Sequence, residues 1–271
     1  MHKAPGAGAL SLVETDDGSL TYFNPAFDQT YHSIHGALTE SLTVFINGSQ
    51  YAENIQSLQT CQPDDKAEYS CTIVEVGFGL GLNFLLAADM ATTKNISLTY
   101  HAVENALPTT EQLTNLDYGR HLVNTGLWDN LLVSLDELPK VLPNNKSTGA
   151  NIRGTCETPT FDCLTLTPAE RITLRIYTEL NHLHALAEGS ADYLFLDGFS
   201  PDSNPECWSE AMLTRYHQLL TSGGVLVTYS AKGRLRRQLQ ASGFSIQKCP
   251  GPPGKREFLR AIKSASTKRS L

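Results

Sequence analysis

VEVGFGLGLNFLL, residues 74–86, decides the fold. Ile73, Val74 and Val76 make a β-prone apolar run, Gly77, Gly79 and Gly81 alternate through a turn, and Leu82 to Ala88 is apolar over a helix-length stretch. Strand, glycine-rich turn and helix in that order form a nucleotide-type cradle: missing Cβ atoms let the backbone bend and a ligand approach, and the helix N-terminus offers free N–H groups. A tight structural turn would use the same glycines, so the loop alone is weak evidence. Its G-x-G-x-G spacing departs from the dinucleotide fingerprint, whose third glycine falls one position later.

Glu75 beside the cradle is an odd neighbour for a pyrophosphate, since a carboxylate repels phosphate and attracts an amine or a sulfonium. S-adenosylmethionine (SAM) therefore fits better than NAD. Further on, LTYHAVEN (98–105) reads as a second strand ending in Glu104, placed where an acidic residue accepts hydrogen bonds from ribose hydroxyls. A solvated carboxylate at a strand end is the plainer alternative.

The second informative stretch is ADYLFLDGFSPDSNPECW, residues 191–208. Tyr193 to Leu196 read as a strand with Asp197 at its carboxyl end, where open α/β sheets bind ligands. Pro201 and Pro205 stiffen the following loop, and Phe199 and Trp208 are large apolar groups suited to walling a pocket for a planar base. Trp208 reads equally well as the first core anchor of a helix over 205–220.

Taken in order, these stretches resemble the methyltransferase domain of the bifunctional tRNA wobble-uridine enzyme MnmC and its stand-alone counterpart MnmD. The family's E-x-G-F-G-x-G-x-N-F motif is matched by Glu75, Gly77, Phe78, Gly79, Gly81, Asn83 and Phe84. Its D-G-F-A/S-P-x-x-N-P-x-x-W motif is matched by Asp197, Gly198, Phe199, Ser200, Pro201, Asn204, Pro205 and Trp208. FDQTYHSIHGALTESLTVFING (27–48), SAKGRLRRQLQASGF (230–244) and PGPPGKREFLRA (250–261) extend the likeness over roughly residues 18–262.

The resemblance implies SAM as cofactor and methylation of the 5-aminomethyl group of 2-thiouridine at tRNA position 34 to the 5-methylaminomethyl form. It implies Asp197 as the catalytic carboxylate, orienting the amine first and taking its proton second. Cofactor contacts fall to Glu75, Gly77, Phe78, Gly79, Gly81, Asn83 and Glu104, with Glu179 in the adenine position only approximately. Substrate contacts fall to Phe199, Pro201 and Trp208. No second dinucleotide fingerprint is visible, so the family's FAD-dependent oxidase step is expected to be absent. Rival readings are a nucleotide-dependent oxidoreductase and a non-catalytic RNA-binding module.

Alternation of strands (71–76, 98–103, 172–177, 192–196, 224–229, 244–249, 257–262) with helices (81–90, 205–220, 232–242) gives an α/β fold. The expectation is a Rossmann-like SAM-dependent methyltransferase fold with a mainly parallel sheet, an antiparallel C-terminal strand and a small β-rich N-terminal extension. Domain boundaries are read as 1–57 for the extension and 58–271 for the methyltransferase domain. Residues 137–170, rich in Pro, Asn and Thr, read as a long loop. Tyr31, His32 and Ser33 of the extension are weighed as cofactor-pocket residues against a structural role.

The 271 residues carry 21 basic and 28 acidic side chains, a net charge of −7. Distribution matters more than the total: from Lys232 to Leu271 there are eleven basic residues against one acid, Glu257. Such segregation can hold a polyanion on one face. Lys255 and Arg256, after the turn PGPPG between two strands, are read as phosphate contacts to the anticodon loop of tRNA. Six cysteines without C-x-x-C pairing, and histidines without zinc spacing, give no metal site and suit a reducing compartment. Without an 18-residue apolar run or a signal-peptide pattern, no membrane association and a cytoplasmic location are expected. The enzymes that install the aminomethyl group are the expected functional partners.

Overall fold

The computed structural model describes residues 9–58, 69–137 and 163–264. Its centre is an eight-stranded sheet in the order β10-β11-β9-β8-β4-β5-β7-β6. The strands are β4 (Ser70–Val76), β5 (Ser97–Val103), β6 (Cys163–Ala169), β7 (Ile172–Tyr177), β8 (Ala191–Leu196), β9 (Leu220–Thr228), β10 (Phe244–Pro250) and β11 (Glu257–Lys263). Six run parallel, while β11 is antiparallel to β9 and β10, and β6 is antiparallel to β7. The antiparallel C-terminal strand and its hairpin are as the sequence implies.

Strands buried on both faces must be apolar at successive positions rather than alternate ones. Accordingly, Ile73, Tyr100, Tyr193 and Phe195 face one core, under α3 (Leu82–Thr93) and α5 (Gly126–Asp136). Val74, Val76, Leu194 and Leu196 face the other, under α6 (Glu210–Leu219) and α7 (Gly233–Ala241). From β4 the chain moves one way to β5 and β7, and later returns to β8 and β9 on the other side. Strand order therefore reverses between β4 and β8, which opens a crevice at their carboxyl ends.

The N-terminal segment is only half β. Strands β1 (Ser11–Glu14), β2 (Leu20–Asn24) and β3 (Gln29–Thr30) form a small antiparallel sheet. After it come α1 (Ala37–Glu40), a π-helical stretch Ser41–Asn47 and α2 (Tyr51–Ser57). LTVFING (42–48), part of the extension expected to be β-rich, is thus helical through Asn47. Val44, Phe45 and Ile46 are all buried, and a helix seated against α3 and β9 covers all three where a half-exposed strand would bury alternate residues. A Cβ at Gly48 would sit 2.7 Å from the Phe258 ring, so the stretch is fitted to the sheet.

The presumed long loop at 137–170 is also corrected, because Cys163–Ala169 forms the edge strand β6. Leu166 is buried against β7, with Thr165 and Thr167 turned outward. Residues 138–162 lie outside the described residues, as do Cys61, Cys156, Lys268 and Arg269.

Candidate active site

The loops that follow β4 and β8 meet in the crevice. Gly77, Gly79 and Gly81 have φ of 92°, 54° and 79°, all in the left-handed region. Gly77 lies so close to the other loop that a Cβ would stand 2.7 Å from both the Asp197 carbonyl oxygen and the Gly198 nitrogen. A Cβ on Gly81 would come 2.9 Å from the Phe78 ring. Phe78 is itself buried and tilted against Phe84, so it helps to shape the loop.

Glu104 anchors the cradle from β5: its Oε2 accepts from Gly79 N–H and its Oε1 from Ala106 N–H, both at 2.9 Å. Each oxygen keeps further acceptor capacity, which is what a pair of vicinal ribose hydroxyls requires. Asn83, in the first turn of α3, spends its amide group on two carboxylates. Nδ2 donates to Glu75 Oε1 and to Asp197 Oδ2, both at 2.8 Å. The Asn83 Oδ1 acceptor is buried and has no donor. Glu75 is wholly buried, its Oε2 accepting from Tyr100 O–H at 2.9 Å.

These carboxyls are electrostatically crowded. Burial pushes Glu75 up to about 8, against the partial relief of the Asn83 and Tyr100 hydrogen bonds. Burial also raises Asp197 well above the usual carboxylate range, and Glu40 and Glu75 add repulsion. Glu104 is raised by burial too. Two carboxyls held on one amide in such a site resist ionising together.

Glu40, at the end of α1, and Lys255, in the β10–β11 turn, complete the group. Lys255 Nζ donates to Glu40 Oε1 and lies 4.1 Å from the centre of the Tyr229 ring, while Glu40 Oε2 accepts from Ser33 N–H at 2.7 Å. Tyr229 O–H in turn donates to the Gly198 carbonyl at 3.0 Å. The phosphate-contact expectation for Lys255 is corrected by this geometry, since its ammonium is held inward by Glu40 and an aromatic face. Arg256 beside it is exposed, as are Arg234 and Arg237 on α7. Glu40 and Tyr229 escaped the sequence reading: Glu40 lies 215 residues from Lys255 and reads locally as an ordinary helix acid.

Phe199 is half-buried and stacks on Phe27 of the N-terminal segment (centroids 4.2 Å apart, planes 18°), with Tyr31 tilted against it at 5.2 Å. Gln29 ties the same loop down, donating to Ser200 Oγ at 3.1 Å and Ser203 Oγ at 2.6 Å. Pro201 sits in the turn that Ser203 and Asn204 N–H close on the Ser200 carbonyl. Tyr31 also borders the cradle, 3.1 Å from where a Gly79 Cβ would be. Trp208 is not a pocket wall. It is buried in the α6 core, and its indole N–H donates to the Phe199 carbonyl at 2.9 Å, fastening the loop from behind. Glu179 lies exposed two residues past β7, whose last residue, Tyr177, accepts from Glu104 N–H.

The donor set fits SAM: left-handed glycines keep the cradle open, Glu104 offers two acceptors for ribose, and the orphaned Asn83 Oδ1 suits an ammonium. Among the described residues, no group of three or more His, Cys, Asp or Glu side chains is arranged to hold a metal ion. Among the same residues no helix is long and apolar enough to cross a membrane.

The buried groups set a pH dependence. His32 and His101 are held by burial at about 4, so the folded state binds fewer protons than the unfolded chain between there and 6.5. Their effect makes stability rise with pH across that window and is complete above it. Glu75 acts oppositely: folded, it keeps a proton between 4.5 and about 8 that the unfolded chain releases, so stability falls as pH rises through that range. From pH 6.5 to 8 the histidines are silent, and the ligand-free protein should lose Tm. Thermal melts of Glu75→Gln should show a flatter slope across this window. An unaltered slope would assign it to other groups.

Residues 154–264 match the family described as S-adenosyl-L-methionine-dependent methyltransferase. The fold and the glycine-rich cradle agree with that match. More closely, the chain is similar to the tRNA 5-methylaminomethyl-2-thiouridine biosynthesis bifunctional protein MnmC. It is 33% identical to that of Aromatoleum aromaticum over 92% of this chain and 34% of the relative, and 32% identical to that of Cupriavidus metallidurans over 91% and 33%. The chain thus spans about a third of the length of these curated relatives. Among solved structures, MnmC2 from Aquifex aeolicus shares the fold, with a TM-score of 0.69 over 96% of this chain and 72% of that one at 22% identity.

Proposed function

We propose that this protein methylates the 5-aminomethyl group of (2-thio)uridine at the wobble position 34 of tRNA, giving the 5-methylaminomethyl form. The observation that carries this reading is the junction of the two loops. A carboxylate, Asp197, and an aromatic wall, Phe199 on Phe27, stand directly beside a cradle suited to SAM. The resemblance of most of the chain to MnmC supports the choice of nucleoside. Against an oxidoreductase stand the carboxyls that crowd the cradle, which disfavour a pyrophosphate.

When bound, SAM supplies an electrophilic methyl group. The residues of this chain must hold the amine neutral and aimed. A primary alkylamine titrates near 10, so deprotonation at pH 7 costs about 4 kcal/mol before transfer begins. Asp197 commits Oδ2 to Asn83, which leaves Oδ1 to accept an amine N–H, orient the lone pair and take the proton. Phe199 offers a face for the unpaired uracil of an anticodon loop, which needs no duplex melting to enter. Glu104 would hold the ribose of SAM and Asn83 Oδ1 its ammonium, with Glu179 on the adenine side of the rim.

Arg256, Arg234 and Arg237 lie on exposed surface in the basic C-terminal region and suit the phosphates of the anticodon arm. Arg256→Ala should lower the slope of log Kd for tRNA against log salt by about 0.7 to 0.9, with SAM affinity unchanged. A slope equal to wild type would remove Arg256 from the RNA face. A cytoplasmic location, and supply of the substrate by the enzymes that install the aminomethyl group, follow from the same reading. Nucleoside analysis of tRNA carrying 5-aminomethyl-2-thiouridine after incubation with protein and SAM tests it. Conversion to the methylaminomethyl nucleoside is expected, and its absence with a SAM-binding protein would redirect the search to other amines.

A further inference from the structure

Asn83 joins two carboxyls that belong to different halves of the site. Glu75 is the penultimate residue of β4, under the cofactor cradle, and Asp197 opens the loop after β8. With both contacts to Nδ2 at 2.8 Å, Glu75 Oε1 and Asp197 Oδ2 lie within about 5.6 Å of each other, in a site where Glu75 has no solvent exposure. Coulomb repulsion between two such charges is far stronger there than in water.

The groups around them sharpen the imbalance. Glu104 faces Glu75 from the end of β5, Glu40 faces Asp197 from α1, and Tyr100 from β5 is a neutral donor to Glu75. Tyr229, at the end of β9, presents its ring to Lys255 and titrates far above neutrality. Among the described residues Lys255 is the cation that acts on Asp197, and it already serves Glu40. Among the same described residues, four carboxyls against one ammonium leave the crevice short of positive charge.

We propose that Glu75, Asn83 and Asp197 act as one proton-holding unit, which keeps a proton on the carboxyl pair in the ligand-free protein and releases it to solvent when SAM brings positive charge. This deepens the methyltransferase reading and rests on it. Asn83 Oδ1, a buried acceptor without a donor, would take the ammonium of SAM, whose sulfonium would bring positive charge to the same crevice. The pair then ionises fully, and Asp197 faces the acceptor amine as a carboxylate, able to take its proton. The O–H bond of one carboxylic acid is the bond broken, its electron pair stays on oxygen, and buffer takes the proton. Asn83 is in this account a positioning residue that links cofactor arrival to the state of Asp197. Burial raises both carboxyls, in keeping with this assignment.

Isothermal titration with SAM at pH 7 in three buffers of different ionisation enthalpy measures the protons released. Close to one proton per SAM is expected, with Kd tightening roughly fivefold to tenfold between pH 6.5 and 7.5. S-adenosylhomocysteine, which lacks the sulfonium charge, should release measurably less. Glu75→Gln, checked by its melting curve to be folded, should bind SAM with little proton release and a flatter pH dependence. Should that variant fail to fold, wild-type SAM and S-adenosylhomocysteine still decide the question. SAM binding with no buffer-dependent heat, or with equal release for both ligands, overturns the proton-holding unit and leaves the methyltransferase reading standing. No SAM binding at all would instead overturn the methyltransferase reading itself.

Discussion

Asp197→Asn should lower kcat for methyl transfer about 10²- to 10⁴-fold, the range for a positioned acid–base group. The substituted side chain keeps an oxygen to accept from Asn83 Nδ2, so the loop and the cradle stay in place. What is lost is a carboxylate facing the acceptor. The neutral amide is a poor proton acceptor and does not bias the amine's orientation by charge. Asp197 reaches the acceptor amine and shares its proton with Glu75, so Kd for SAM at pH 7 should move by no more than about tenfold, and the larger fall in kcat separates loss of chemistry from loss of binding. Stopped-time assays at saturating tRNA, with calorimetry for SAM, check both halves. A variant with normal kcat would transfer the proton-accepting role elsewhere, and Glu40, which faces Asp197 from α1, would be the next residue to test.

Gly77→Ala carries the other large effect, because one methyl group disturbs both loops at once. At φ 92° an L-residue is strained, and its Cβ would meet backbone rather than a side chain that can swing away, at 2.7 Å from the Asp197 carbonyl oxygen and the Gly198 nitrogen. The strain of the left-handed position alone is about 1–3 kcal/mol of stability. Pushing the β8 loop outward moves Asp197 relative to the cradle, and a displacement of about 1 Å at a reacting centre costs roughly 10²-fold in rate. Chemical denaturation and kcat/KM should both respond. A variant that is as stable and as active as wild type would mean the two loops are not in the contact described.

Much of this was legible before the structure. The runs around Val74 and Leu194 announce strands buried on both faces, and the alternating glycines mark the bend between β4 and α3, because local backbone constraints act over a few residues. LTVFING misled because its β-branched and aromatic residues favour strand locally, while the space between α3 and β9 takes a helix. Strand β6 was hidden in a Pro- and Thr-rich stretch, although the alternation of Leu164 and Leu166 with Thr165 and Thr167 was present. Within the site, the two motifs bring Asp197 and Asn83 into contact, and Glu104 reaches the same cradle. Lys255 and Trp208 do not act as first read, since the pairing of an ammonium with Glu40 and the burial of an indole beneath Phe199 are set by tertiary packing. The same reason hid Glu40 itself.

The most direct test follows labelled methyl from SAM to two tRNA acceptors. One carries 5-aminomethyl-2-thiouridine at position 34, and the other is the same tRNA with that amine blocked by acetylation. The account predicts label on the first and none on the second. Label on both would place the methylated atom elsewhere in the RNA, and label on neither, with SAM bound, would contradict the proposed reaction.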